Sequence, residues 1–283
     1  MRGREAILAW LLPGLVGVAV LVTYARLPAA DLYHVSGSGL RGGAGRALVY
    51  VDFPVALVAI AILALSLERL RGGVRLVALA SGLLCAVVFW PGVVDEDDLD
   101  ARWVNALPAT GVAVAVLLTP VGEPGRAGRP LGDRLRLALA VLVLLAAPVW
   151  AAADLGFFLD GVPLLGWLYE SGPASAPAVH RGHHHGMDGI LLVLCALLLS
   201  RLLPTLRSDL LRLLAGAYLA LMLAYGAGNV ANDFWNEQVV VRGWSGWEFP
   251  SVLHPGLTWA WAAVAGGALA VWVGWFSRER PEA

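Results

Sequence analysis

Eight apolar runs, each close to the roughly 20 residues that cross a bilayer as a helix, recur along this sequence. They cover residues 6–25, 48–67, 74–94, 103–121, 135–153, 188–206, 209–228 and 254–276. In hydrocarbon every backbone N–H and C=O must be satisfied within the protein, so such runs predict an all-α bundle of membrane helices. Only 14% of the residues are charged and 59% are hydrophobic, where a soluble domain carries about 25% charged residues. The reading is therefore one membrane domain over 1–283 with no sizeable soluble part. The first run is too long for the apolar part of a cleaved signal, and no A-x-A site is followed by a soluble domain.

Orientation follows from arginine, since the chain has no lysine and all 20 basic residues are Arg. Fourteen fall on one side: Arg2, Arg4, Arg69, Arg71, Arg75, Arg126, Arg129, Arg134, Arg136, Arg201, Arg207, Arg212, Arg278 and Arg280. Six fall on the other. The positive-inside rule then predicts cytoplasmic termini and a multi-pass protein of the plasma membrane. The outer connections become 26–47, 154–187 and 229–253, and all six histidines lie in them or at outer helix ends. A net charge of −1 gives no footprint for nucleic acid. Cys85 and Cys195 sit inside apolar runs and read as small buried hydrophobes.

The outer side holds nearly all the unusual polar residues. The stretch PAVHRGHHHGMDGILL, 177–192, contains His180, His183, His184 and His185, followed by Asp188. On a helix His180, His184 and Asp188 share a face at i, i+4 and i+8, which lets two imidazoles reach one metal with Asp188 as ligand or as tautomer-fixing acceptor. Imidazole suits Zn, Fe or Cu, and His254 and His34 are further donors of the same kind. A bare polyhistidine turn or a pH-sensitive set of hydrogen-bonders is the plainer alternative.

Carboxylates and amides add to this. Asp52 lies about one turn into the second run, followed by Pro54; an ionisable group in a span needs a partner or water, here a function or an interfacial pairing with Arg46 or His34. Asp95, Glu96, Asp97 and Asp98 crowd the turn after the third run, as a solvated loop or as ligands for a hard cation. Asn229, Asn232, Asp233 and Glu237 share one face if the seventh helix continues to Glu237. Gly37 to Gly45 read as a flexible or tightly turned connector. Nine of the twelve tryptophans fall on the outer side, an aromatic belt with the outer loops folded onto the membrane. The tetrapeptide AADL recurs at 29–32 and 152–155, a weak sign of a 4+4 internal repeat.

These features point first to a membrane enzyme with a metal at the His/Asp cluster, Asp233 or Glu237 as acid/base, and a lipid-like or amphiphilic substrate. A transporter or permease using Asp52 and Asn229 is the second reading, and a non-catalytic membrane subunit or scaffold the third.

Overall fold

The computed structural model describes residues 3–32, 35–37, 39–93, 95, 98–122, 130–155, 163, 185–240, 243–253 and 255–279. Among them every regular element is helical. In chain order these are α1 (Arg4–Arg26), α2 (Gly39–Tyr50), α3 (Ala56–Ser66), α4 (Gly72–Ala86), α5 (Ala106–Leu118), α6 (Asp133–Ala146), α7 (Pro148–Asp154), α8 (His185–Ser200), α9 (Asp209–Trp235) and α10 (Trp259–Gly274). Six continuous helical stretches are long and apolar enough to cross a membrane: Arg4–Arg26, Gly39–Ser66, Gly72–Phe89, Gly186–Thr205, Asp209–Val240 and Trp259–Arg278. The protein is thus a helical membrane protein.

The two remaining apolar runs form shorter pieces. Trp103–Leu118 is a 3-10 turn leading into α5. The run expected at 135–153 is interrupted at Ala147, after which Pro148 opens α7; proline has no N–H to donate to the preceding turn, although Ala147 itself keeps helical backbone angles.

The second run also departs from expectation. Its helix starts at Gly39, not at 48, and passes through a π turn, Val51–Val55, containing Pro54. The glycines read as a connector are largely helix that packs on α1: a Cβ on Gly43 would lie 2.5 Å from the carbonyl oxygen of Leu21. Small residues at membrane helix crossings allow such approach, which outweighs glycine's poor helix propensity.

Helix α8 is the axis of the bundle, packed along its length by α9 and also by α1, α3 and α6. Leu192, Cys195, Ala196 and Leu199 have no exposure at all. The crossing with α9 depends on two glycines facing each other. A Cβ on Gly189 would lie 2.5 Å from the Gly226 carbonyl oxygen, and one on Gly226 2.7 Å from that of Gly189. By contrast α4 and α10 are peripheral, and show Leu76, Leu83, Leu269 and Val273 outward, as lipid-facing helices do.

The arginine-bearing turns gather at one end of the bundle. Glu68 accepts hydrogen bonds from the backbone N–H of Arg207 (2.9 Å) and Ser208 (2.6 Å), just before α9, and Arg69 donates to the Thr205 carbonyl (3.1 Å). Arg136 is buried there. Its guanidinium donates to Glu279 (2.7 Å), Ser200 (2.8 Å) and the Leu131 carbonyl (2.5 Å), and lies 4.7 Å from the Trp275 ring centre. Glu279 also accepts from Leu131 N–H (3.2 Å). This saturated network ties the segment after α10 to the start of α6 and the end of α8, a role that counting arginines for orientation does not reveal. Helix α8 begins at the opposite end, with His185, and we call it the histidine end.

Candidate functional site

Helix α9 is the longest element. With its π turn, Asn236–Val240, it runs 32 residues, roughly 48 Å at 1.5 Å per residue, well beyond the ~30 Å of hydrocarbon. Its polar residues lie in its last turns, at the histidine end. Asn229, Asn232 and Asp233 are all buried, so protein rather than water must meet them.

The partners divide the expected polar face in two. Asn232 donates to the carbonyls of Phe249 (2.9 Å) and Pro250 (3.2 Å), and Asn236 exchanges two hydrogen bonds of 2.9 Å with the backbone of Phe249. These two amides hold down the loop returning to α10. Trp247 and Phe249 of that loop pack their rings on each other and on Trp259, the first residue of α10, with centroids 4.7 to 6.2 Å apart. Asp233 turns elsewhere and accepts a hydrogen bond from the indole N–H of Trp150 in α7. Asn229 donates to its own helix at Tyr225 (2.9 Å), and its buried side-chain oxygen has no hydrogen-bond partner. Glu237 lies in the π turn, half-buried.

Trp150 joins two helices. A Cβ on Gly186 would overlap its indole ring, so the ring sits flat on the first turn of α8 while its N–H reaches α9. Asp233 and the opening of α8, where Asp188 is also buried, are therefore neighbours. His180, His183 and His184, the side chain of His185, His34 and His254 lie outside the described residues, as do Glu96 and Asp97. Among the described residues no group of three or more His, Cys, Asp or Glu side chains is placed to hold a metal.

From Trp150 an apolar slot of about 770 Å³ runs toward the arginine end, between α6 and α10 over a floor of α9. It extends from Trp150 and Phe234 to Leu139 and Val271, and Trp150 has the only polar side-chain atom in its lining. Eleven helical steps separate Leu139 from Trp150 and Ala260 from Val271, roughly 16 Å at 1.5 Å each. That is close to half of the ~30 Å hydrocarbon thickness, one leaflet deep.

The acidic turn works as loop structure where it is described. Asp100 accepts from the Ser36 backbone N–H with both oxygens at 3.1 Å and also from the Ser36 hydroxyl. Asp98 accepts from Asp100 N–H (3.1 Å), and Asp95 pairs with Arg102 at 3.7 Å.

Asp52 is deeper than its sequence position suggested. Because the helix starts at Gly39, Asp52 stands mid-helix in the π turn, 1% exposed. The interfacial pairing with Arg46 is not formed; the Arg46 guanidinium lies 5.6 Å from the Tyr24 ring centre instead. Buried Asn105 lies beside Asp52, yet neither carboxyl oxygen has a hydrogen bond of normal geometry. Cys85 and Cys195 are buried free thiols, as expected of small hydrophobes.

Comparison with protein-family models, curated proteins and solved structures finds no match to this chain.

Proposed function

We propose that the protein is a membrane enzyme acting on a lipid-like or amphiphilic substrate at the histidine end. One observation carries this reading: the apolar slot, one leaflet deep, ends at the Trp150–Asp233 pair against the first turn of α8. A hydrocarbon tail in the slot delivers its polar head to Asp233, Asp188 and the segment bearing the histidines. In this reading His180, His183, His184, His185, Asp188 and His254 supply ligands for a transition metal, Zn, Fe or Cu, whose chemistry is to polarise the head group or activate water. Asp233 and Glu237 move the proton. His34, Asp52, Asp95, Glu96, Asp97, Asp98, Asn229 and Asn232 line or brace polar space at that end.

The topology that goes with it has eight crossings, α5 and the α6–α7 pair included, with both termini cytoplasmic in the plasma membrane and the site on the extracytoplasmic face. Arginine placement supports that orientation. The two AADL copies support an arrangement in two halves of four spans.

A second reading, a transporter, draws on Asp52 alone: a buried mid-helix carboxyl within a π turn is a common mark of ion pathways. Against it, polar groups nearer the arginine end are closed by hydrogen bonds within and between helices, Ser66 to Ile62 (2.8 Å), Ser81 to Gly111 (2.6 Å) and Trp10 to Thr119 (3.0 Å).

The test is mass spectrometry of the lipids around the purified protein in nanodiscs supplied with Zn, Fe or Cu. Wild type converts a lipid species with time, and His184→Ala and Asp233→Asn, eluting as wild type, do not. Unchanged lipids with every metal contradict the enzyme. A substrate gradient dissipated by wild type but not by Asp52→Asn favours the transporter.

A further inference from the structure

A second cavity, of about 690 Å³, lies on the other flank of α9, in the cleft between the end of α4 and the start of α10. Its floor is the kink of the second helix, at Phe53 and Leu57, and the face of α9 bearing Tyr218, Met222 and Tyr225. Trp261, in the first turn of α10, forms part of the wall; it stacks on Tyr225 with ring centres 5.5 Å apart, and Phe53 meets Tyr225 edge-on at 6.1 Å. Phe89 and Trp90, both largely exposed, stand at the mouth. Seven helical steps separate Tyr225 from Tyr218, roughly 10 Å at 1.5 Å each. The cavity thus runs from the level of Trp261, at the histidine end, down into the apolar bundle.

The polar groups of this lining differ in what they have left to give. Tyr218 donates its hydroxyl proton to the Leu57 carbonyl (2.9 Å) and Tyr225 donates to that of Leu253 (3.1 Å). Asp95 is ion-paired with Arg102 at 3.7 Å, so its charge is balanced from within the protein. The indole N–H of Trp261 differs from all of these: it is buried and has no hydrogen-bond partner among the described residues. A buried donor without an acceptor keeps its full desolvation cost, and an occupant that offers an oxygen relieves it. A plain hydrocarbon fills the space but leaves this N–H unmet. An ammonium has no use for a donor, and an anion is desolvated against apolar walls with no cation among the described lining residues. Walls rich in aromatic rings suit a flat, neutral body.

We propose that this cavity binds a neutral lipophilic carbonyl compound, its oxygen accepting from the Trp261 indole and its apolar body against Phe53, Leu57 and Met222. The site is separate from the Trp150–Asp233 pair and does not depend on that pair being catalytic. The carbonyl has two sources, a free ring ketone or quinone and the ester carbonyl of a glycerolipid.

NMR of the indole N–H groups, in protein labelled at tryptophan nitrogen and held in a neutral maltoside detergent, tests it with duroquinone and durene as probes. Both are flat tetramethyl rings of similar size, and only duroquinone carries carbonyls. The Trp261 resonance, identified by its loss in Trp261→Phe, moves downfield saturably with duroquinone and not with durene. Affinities read from the shifts of the lining indoles favour duroquinone at least about tenfold, and Trp261→Phe brings the two probes together. Leu221→Trp, which fills the mouth from a part-exposed position, abolishes binding of both while the elution profile stays that of wild type. Native mass spectrometry from nanodiscs then separates the sources. A glycerolipid retained by wild type and lost from Leu221→Trp assigns the ester carbonyl; no retained lipid alongside duroquinone binding assigns a free ketone or quinone. Equal affinity for the two probes, a Trp261 indole that does not move, or duroquinone binding untouched by Leu221→Trp overturns the proposal. Should Trp261→Phe fail to fold, the durene comparison and Leu221→Trp decide it.

Discussion

At the arginine end Arg136 and Glu279 are both buried, and between them they spend their donors and acceptors on each other, on Ser200 and on the backbone of Leu131. At the histidine end the buried polar groups reach across to a neighbouring helix and to a loop, Asp233 to Trp150 and Asn232 to the Phe249 loop, and the side-chain oxygen of Asn229 is left over. Two cavities reach toward that end. A saturated network suits a fixed closure, whereas polar groups held at the rim of open space suit a site. The comparison teaches that burial of charge is not by itself a functional signal; what counts is whether the surroundings consume it.

The largest effect that probes this contrast comes from removing half of the closed network. Arg136→Ala leaves Glu279 buried without its cation and costs about 3–5 kcal/mol, read from unfolding in mixed detergent. The double change Arg136→Met with Glu279→Leu costs much less, because neither charge is stranded. A double variant as unstable as the single one breaks the claim that the network is mere closure.

Next in size is the helix crossing. Gly226→Leu forces a side chain where a Cβ is already 2.7 Å from the Gly189 oxygen, and overpacking of this kind costs about 1–3 kcal/mol. It also displaces the first turn of α8 from Asp233, so the same variant loses whatever binding the histidine end carries. Stability equal to wild type in the unfolding assay is incompatible with the crossing described.

Trp150→Phe keeps a ring on Gly186 and deletes one hydrogen bond to Asp233, about 1 kcal/mol of stability, and under the proposed enzyme reading it abolishes lipid conversion. A proportionate, small loss of both makes Trp150 a packing residue only. The smallest expected change is at Asp52. Since its oxygens make no hydrogen bond of normal geometry, Asp52→Leu leaves stability unchanged or raises it by less than about 1 kcal/mol. A melt lowered by several degrees shows that Asp52 has a structural partner.

Much of the bundle was legible because the bilayer imposes a length on every span, and that length is visible as an apolar run. The interruptions were not. Pro54 and Pro148 sit inside apolar runs that hydropathy counts as continuous, yet one yields a π turn and the other splits α6 from α7. The glycines from 39 to 45 look like a connector by propensity in water, and only the presence of α1 beside them makes them helix. Asp52 stood out by its chemistry, but its depth depends on where that helix begins. At the histidine end Asn229, Asn232 and Asp233 were recognisable as polar groups on an emerging helix. Trp150 was not, since an indole at a helix end reads as part of the aromatic belt; its distinguishing signal is the glycine at 186, a long-range match that a single sequence does not show. Arg136 was read only as an orientation signal because its partner, Glu279, is 143 positions away.

The proposed metal at the histidine end, beside the slot, is tested most directly by elemental analysis of the detergent-purified protein. Wild type and the Arg136→Met, Glu279→Leu double variant should carry the same Zn, Fe or Cu, near one atom per chain, and the triple replacement of His180, His184 and Asp188 by Ala should carry none while eluting normally. Equal metal content in the triple variant, or no metal in the wild type after supplementation with each ion, contradicts the account.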